Sequence, residues 1–207
     1  MLTIPRFFFF DVGNVLVHFS HERSRDQIAS VLELDPRQVQ RVVFEEGLQE
    51  RYESGEVSCQ QFAQQLLGFS ETQVSHRDVV EAASRIFALN RELIPLLTAL
   101  RTVNLPLGIL SNTCPGHWQE VLRIAPLIQS YFRHFVLSHE SKCMKPNRKI
   151  YQDAIRVAGE PAELIFFVDD RPENVEAARL AGLDAHQYES ADRLFRALDE
   201  RGVRLNF

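Results

Sequence analysis

The sequence predicts an α/β fold: a Rossmann-like, doubly wound parallel sheet interrupted by an inserted helical bundle. Three observations carry that expectation. Short apolar runs alternate with helical segments over most of the chain. The runs are continuously apolar rather than alternating, as strands buried on both faces are. Polar residues then follow each run on its carboxyl side. Phe7–Phe10 is the first such strand, Leu107–Leu110 the second, Phe135–Leu137 the third and Leu164–Val168 the fourth, with a weaker fifth at Ala185–Tyr188.

Helix signals fall between these runs. Asn90 stands as an N-cap, with Glu92 in the first turn, for a helix reaching Val103. Asn147 caps a helix to Val157, with Gly159 as its stop. Pro172 opens a helix that ends at Gly182, and Ser190 caps the last one. From Ser20 to Leu89 no strand pattern is visible. His21–Leu32, Pro36–Arg51, Ser58–Leu67 and Gln73–Ala88 read as helices, with a turn at Glu53-Ser54-Gly55-Glu56. An insert placed after the first strand emerges at the carboxyl edge of the sheet, where ligands of such sheets bind. The expected organisation is therefore a core of residues 1–17 and 90–207 with a helical cap at 18–89.

Composition narrows the function. The chain has 207 residues, a net charge of −5 and no block of like charges, which speaks against a nucleic-acid backbone as partner. The first apolar run is cut by Asp11, far short of the roughly 20 residues of a membrane span. The N-terminus lacks the basic, apolar and small-residue succession of a signal peptide. Cys59, Cys114 and Cys143 are widely spaced and fit reduced thiols, so a cytoplasmic location is expected. No CxxC or HxxxH pair offers a zinc site.

The residues after the strands carry the chemistry. Asp11 follows the first, Ser111 and Asn112 the second, Lys145 the third after a short loop, and Asp169 and Asp170 the fourth. In a parallel sheet these ends share one edge and converge on one crevice. Carboxylates, an ammonium and a hydroxyl–amide pair together suit a divalent ion beside a phosphate. Mg²⁺ takes oxygen ligands, commonly one or two of them carboxylates. Asp11, Asp170 and the Gly13 carbonyl can supply them. An Asp can also attack phosphorus and form an aspartyl phosphate. Lys145 offsets charge on the transferred group, and Ser111 and Asn112, just before a helix start near Pro115, suit the remaining phosphate oxygens.

Asp11-Val12-Gly13-Asn14-Val15, Ser111-Asn112-Thr113, Lys145-Pro146 and Asp169-Asp170-Arg171-Pro172-Glu173-Asn174 resemble, in order, the four motifs of the haloacid dehalogenase-like (HAD) hydrolases. The resemblance covers nearly the whole chain, including the placement of the helical cap. It leans towards the branch that contains bacterial glucose-1-phosphate phosphatases and the N-terminal phosphatase domain of soluble epoxide hydrolases. It implies an HAD-like core and Asp11 as nucleophile and metal ligand, with Gly13 ligating through its carbonyl. It also implies that Ser111 and Asn112 grip the phosphoryl group, Lys145 neutralises charge and Asp170 ligates Mg²⁺. Asn174 stands where many relatives carry a second acid.

One departure stands out. Relatives that are phosphatases usually carry a second Asp two residues after the nucleophile, where it protonates the leaving oxygen; here that residue is Gly13. General acid–base help is typically worth about 10²–10⁴-fold. Three readings stay open. His18, Glu45, Glu46 or Glu53 replaces the acid; or the substrate has a less basic leaving oxygen, such as an anomeric one; or the chain is a weak or inactive binding module for a phosphorylated ligand or a protein. The 2-haloacid dehalogenases also lack this Asp, but they need no metal, and the Asp169-Asp170 pair would be costly in their pocket. The expected function is Mg²⁺-dependent hydrolysis of a small phosphate monoester, possibly a sugar phosphate. His117, Trp118, Phe44 and Phe87 are candidates for the pocket mouth and cap lining.

Overall fold

The computed structural model describes residues 4–205; residues 1–3 and 206–207 of the expected core lie outside them. In chain order the strands are β1 (Phe7–Phe10), β2 (Val17–His18), β3 (Ala88–Leu89), β4 (Leu107–Ser111), β5 (His134–Leu137), β6 (Ile165–Asp169) and β7 (Asp184–Gln187). Five of them form one parallel sheet, ordered β5-β4-β1-β6-β7. β1 is central because its four phenylalanines are all buried and face both sides. Phe8 and Phe10 point into a cluster with Leu107, Ile109, Phe166 and Val168, while Phe7 and Phe9 join Leu110, Ile165 and Phe167 on the opposite face. Period-two alternation within an apolar run thus splits one strand between two cores. A Cβ at Gly108 would lie 2.5 Å from Cε1 of Phe9, so only glycine fits beside that ring in the centre of β4.

The helices are α1 (His21–Leu32), α2 (Pro36–Val39), α3 (Leu48–Glu53), α4 (Cys59–Leu67), α5 (His76–Ser84), α6 (Ile94–Thr102), α7 (Pro115–Ile124), α8 (Leu127–Tyr131), α9 (Ser138–Ser141), α10 (Arg148–Ala158), α11 (Pro172–Leu180) and α12 (Ala191–Glu200). Residues of α6, α7 and α12 cover the Phe8 face, and residues of α10 and α11 cover the Phe7 face, which makes the sheet doubly wound. Helices α1 to α5 share a separate apolar cluster that includes Ile28, Leu48, Tyr52, Phe62 and Val79, and it reaches the sheet side only through Cys114. Among the described residues no helix is long and apolar enough to cross a membrane.

Several expected helix signals are present. Asn147 accepts from the Lys149 amide, Ser190 from that of Arg193, and Pro172 occupies the first turn of α11. Others differ. The expected helix over Pro36–Arg51 is broken: α2 runs into a wider turn at Gln40–Glu45, and Gly47, at φ 76°, reverses the chain before α3. That left-handed geometry is open to glycine at little cost. The helix expected from Gln73 begins at His76, where Ser75 and Asp78 form a reciprocal capping box, and it ends at Ser84. A strand is present where none was expected. Ala88–Leu89 pairs antiparallel with Val17–His18 and ties the entry of the helical segment to its exit. Two residues are too few to leave a periodic signal.

Asn90 is not a cap. Its side chain makes no capping bond; it is buried, and Nδ2 donates to the Val15 carbonyl at 2.8 Å and to Tyr188 Oη at 2.9 Å. It thereby locks the turn after β1 to the segment after β7. Replacing it leaves a buried carbonyl and hydroxyl without their donor, at a cost of about 1–3 kcal/mol. Asn90→Ala is expected to lower stability by that amount in urea denaturation.

Candidate active site

The site begins where β1 stops. The Asp11 amide donates to the Val168 carbonyl of β6 at 2.8 Å, so the sheet hydrogen bonding holds this residue at its carboxyl edge. The chain then turns tightly. Asn14 takes φ 53°, a left-handed conformation that asparagine tolerates, and its amide donates to the Val17 carbonyl at 2.6 Å. This turn swings Asn14 Nδ2 to 3.0 Å from Asp170 Oδ2, across a separation of 156 residues. Carboxylate oxygens of Asp11, Asp169 and Asp170 lie within 4.8 Å of one another.

Lys145 balances that charge. Its Nζ lies 2.9 Å from Asp11 Oδ1 and 2.6 Å from Asp169 Oδ2, and it donates to the Leu110 carbonyl at 3.0 Å. Two ammonium protons are hydrogen-bonded, to Asp169 and to the Leu110 carbonyl, while Asp11 Oδ1 meets the charge as an ion pair. Asn112 holds the lysine in place: its Oδ1 accepts from the Lys145 amide at 2.7 Å, and its Nδ2 donates to the Lys145 carbonyl at 2.9 Å. The Asn112 side chain is therefore a two-point clamp on the lysine backbone, and Ser111, buried at the end of β4, is left as the hydroxyl of that pair. Asp169 is fully buried and accepts from Asn174 Nδ2 and from the Arg171 amide.

Burial pushes the Asp11 carboxyl up to about 6, with Lys145 opposing and Asp169 reinforcing the rise. Burial pulls Lys145 down, but the two carboxylates outweigh it and the net shift is upward. The lysine is therefore charged.

Asp11, Gly13, Ser111, Asn112, Lys145 and Asp170 all line one cavity of about 550 Å³. The opposite wall comes from the helical segment and is part aromatic and part polar. Phe19 contacts His21 and Phe87 at ring separations of 5.0 and 6.1 Å, His21 contacts Phe44 at 5.0 Å, and Phe87 contacts His117 at 5.2 Å. Gln49, Glu50 and Glu53 complete that wall. Burial raises the Glu53 carboxyl to about 7. Burial also pushes the His117 imidazole down to about 4, so the 3.9 Å approach of its Nδ1 to Glu53 Oε1 is not an ion pair at neutral pH. Wider grooves elsewhere are lined by charges that pair with one another, such as Glu81 with Arg85.

Not every residue singled out in the sequence reaches the cavity. His18, Glu45 and Glu46 are exposed and lie off it. Trp118 packs edge-on against Phe135 at 5.5 Å instead of lining the mouth. Burial raises the Cys114 thiol well above its ordinary value, as expected of a core residue. The structure gives contacts to Asp169, Asn14 and Arg171 that no local sequence signal assigns: Asp169 meets Lys145, Asn14 bonds Asp170, and the Arg171 amide bonds Asp169. What the sequence does carry for Asp169 is strand alternation: consecutive residues at a strand end point to opposite faces, so the two acids had to part.

A divalent cation fits this arrangement. The ligand atoms on offer are oxygens, the carboxylates outnumber the ammonium, and Asp11 Oδ1 is buried without a well-directed hydrogen bond despite its closeness to Lys145.

Residues 5–182 match the pattern of the haloacid dehalogenase-like hydrolases, and the chain belongs to that family of hydrolases. Glyceraldehyde 3-phosphate phosphatase of Methanopyrus kandleri is 31% identical over 94 residues, spanning 44% of this chain and 40% of that protein. A HAD family enzyme of Bacteroides thetaiotaomicron, solved in complex with magnesium and inorganic phosphate, superposes with a TM-score of 0.82 at 23% identity, covering 93% of this chain and 100% of that one. A HAD-like family hydrolase of Porphyromonas gingivalis gives 0.79 at 24% identity, with 96% and 98% covered. At these identities the structural likeness concerns the fold.

Removing the lysine strands two buried carboxylates, and breaking a buried pair costs about 3–5 kcal/mol. Lys145→Met is expected to lose stability on that scale in urea denaturation at pH 8 with a chelator present.

Proposed function

We propose that this chain is a Mg²⁺-dependent phosphatase acting on a small phosphate monoester, with a sugar phosphate as the substrate class. The observation that carries the reading is the meeting, in one cavity, of Asp11 and Asp170 oxygens within 4.8 Å with a lysine ammonium 2.9 Å from Asp11. In this reading residues 1–17 and 90–207 form the catalytic core and residues 18–89 the cap that covers it. Asp11, Asp170 and the Gly13 carbonyl hold Mg²⁺, which supplies charge neutralisation at the phosphoryl oxygens.

Asp11 attacks phosphorus through a carboxylate oxygen and becomes an aspartyl phosphate. Lys145 stays 2.9 Å from the nucleophile and spreads positive charge over the incoming dianion. Ser111 donates its hydroxyl to a phosphoryl oxygen, and Asn112 serves the same pocket by fixing Lys145 and lending its backbone. Asp169 anchors the lysine from behind. The aromatic wall gives the apolar face of a sugar something to pack on, while Gln49 and Glu50 offer polar atoms to its hydroxyls. The cavity volume suits a small substrate. The activity named for the Methanopyrus kandleri relative, on a three-carbon phosphate, is of the same class.

Phosphate release is expected from a panel of sugar and polyol phosphates only with Mg²⁺; a chelator abolishes it, re-addition restores it, and Asp11→Asn is inactive throughout. Release that persists in Asp11→Asn removes the nucleophile assignment, and halide release from 2-chloropropionate in the presence of chelator would point to dehalogenation instead. A subtler check uses Asn14, whose amide steadies Asp170. Asn14→Gly keeps the left-handed turn but deletes that bond. It is expected to raise the Mg²⁺ concentration for half-maximal activity by about 10–100-fold, as loss of an outer partner of a metal ligand does.

A further inference from the structure

The cavity holds a buried carboxyl that the steps above do not use. Glu53 is the last residue of α3, and its side chain is 18% exposed. Its position is fixed from two sides. Its carbonyl accepts from Ser138 Oγ at 2.6 Å, and the same hydroxyl accepts from the amide of Thr113, the residue after Ser111 and Asn112, at 2.8 Å. Gln49 Nε2 donates to Glu53 Oε1 at 2.8 Å. Among the described residues Oε2 has no hydrogen-bond partner, so one oxygen of the carboxyl is held and the other is available. A cap residue is thus pinned to the phosphate-gripping loop while its carboxyl faces the cavity that Asp11 lines.

Gly13 itself offers no acid, and the space beside it is occupied. A Cβ on Gly13 would meet Cε1 of Phe19 at 2.9 Å, so the Phe19 ring fills the space that a side chain two residues after Asp11 would need. Of the other titratable groups lining the cavity, Glu50 and His21 are exposed, and His117 is neutral at pH 7.

We propose that Glu53 is the general acid and base of this enzyme, supplying from the cap the proton that Gly13 cannot. The proposal rests on the phosphomonoesterase reading. In the first step Asp11 forms its bond to phosphorus as the bond to the ester oxygen breaks, and the Glu53 proton passes to that oxygen, so the alcohol leaves neutral. In the second step water adds to phosphorus and gives a proton to the Glu53 carboxylate, and the Asp11–phosphorus bond breaks. Phosphate departs, and Glu53 is protonated again. A group poised between its two forms near neutrality suits both halves. Burial is the main cause of the rise in Glu53 to about 7; Gln49 opposes it, Asp11 reinforces it, Arg171 opposes it and Glu50 reinforces it. His117 and the Cys114 thiol also face it, both uncharged.

The test compares leaving groups in the full chain with Mg²⁺. p-Nitrophenolate leaves without a proton, whereas the alkoxide of glycerol 3-phosphate needs one. Glu53→Gln is expected to lower kcat/KM for glycerol 3-phosphate by about 10²–10⁴-fold and for p-nitrophenyl phosphate far less. With the aryl ester it should release a burst of one p-nitrophenolate per enzyme and then turn over slowly, because the phosphoenzyme lacks its base. The burst also reports that the variant is folded. In the wild type, kcat/KM for the alkyl ester should fall as pH rises through about 7, where the acid form is lost, and Glu53→Gln should lack that limb. Wild-type turnover of the alkyl ester by Glu53→Gln overturns the proposal, as does an equal loss on both esters without a burst. So does a wild-type profile without the descending limb, a measurement that needs no variant. A wild type that releases phosphate from neither ester sinks the phosphatase reading itself, which separates the two failures.

Discussion

A single ammonium, buried between two carboxylates, organises this protein. Lys145 comes from the loop after α9, Asp11 from the end of β1 and Asp169 from the end of β6, and the lysine also donates to the Leu110 carbonyl of β4. Ions buried without such partners would each cost several kcal/mol, so the three strand ends must stay in register for the charges to be met. The supporting bonds follow from that need. Asn112 grips the lysine backbone at both its amide and its carbonyl, and Asn174 with the Arg171 amide holds Asp169. The neighbouring acid, Asp170, escapes this lock: among the described residues its carboxylate is hydrogen-bonded by Asn14 and its carbonyl by Gln187, which leaves an oxygen-rich corner with surplus negative charge. The same arrangement thus holds the Asp11 carboxylate against the lysine and leaves that oxygen-rich corner beside it.

The helical segment is joined to this centre by few but specific contacts. Its chain enters and leaves through the short β2–β3 pair. At its far side Tyr52 Oη accepts from the Gly116 amide at 3.2 Å, and the Glu53 carbonyl accepts from Ser138. Gly116 has to be glycine there: a Cβ would fall 2.7 Å from Ser84 Oγ and 2.8 Å from Val80 Cγ1. The segment keeps its own apolar cluster, which Cys114 also joins. Its polar and aromatic side chains form one wall of the shared cavity.

The inner strands of the sheet were legible in the sequence because each is a short, near-continuous apolar run bounded by polar residues, as strands buried on both faces are. The polar residues at the strand ends were legible for the same reason: once the strands are parallel, Asp11, Ser111, Lys145 and Asp170 must share an edge. Other features were not. Asn90 carries the signature of a helix cap, yet tertiary partners 75 and 98 residues away claim its amide. Asn112 has the chemistry of a phosphate donor, but that amide is already taken by the lysine backbone. The break at Gly47 was hidden because the residues on both sides keep a helical pattern. Which of His18, Glu45, Glu46 and Glu53 would face the centre depended on how the helical segment is set on the sheet, and local pattern does not encode that.

The contact between residues 13 and 19 has a consequence for how such a chain can change. A side chain at 13 and an aromatic ring at 19 compete for one volume, since a Cβ there would overlap Phe19 at 2.9 Å. A side chain at 13 obliges the Phe19 ring to shift, so the two positions are coupled. In lineages that share this loop geometry, an acid at the first position should travel with a small residue at the second, and glycine with a bulky ring.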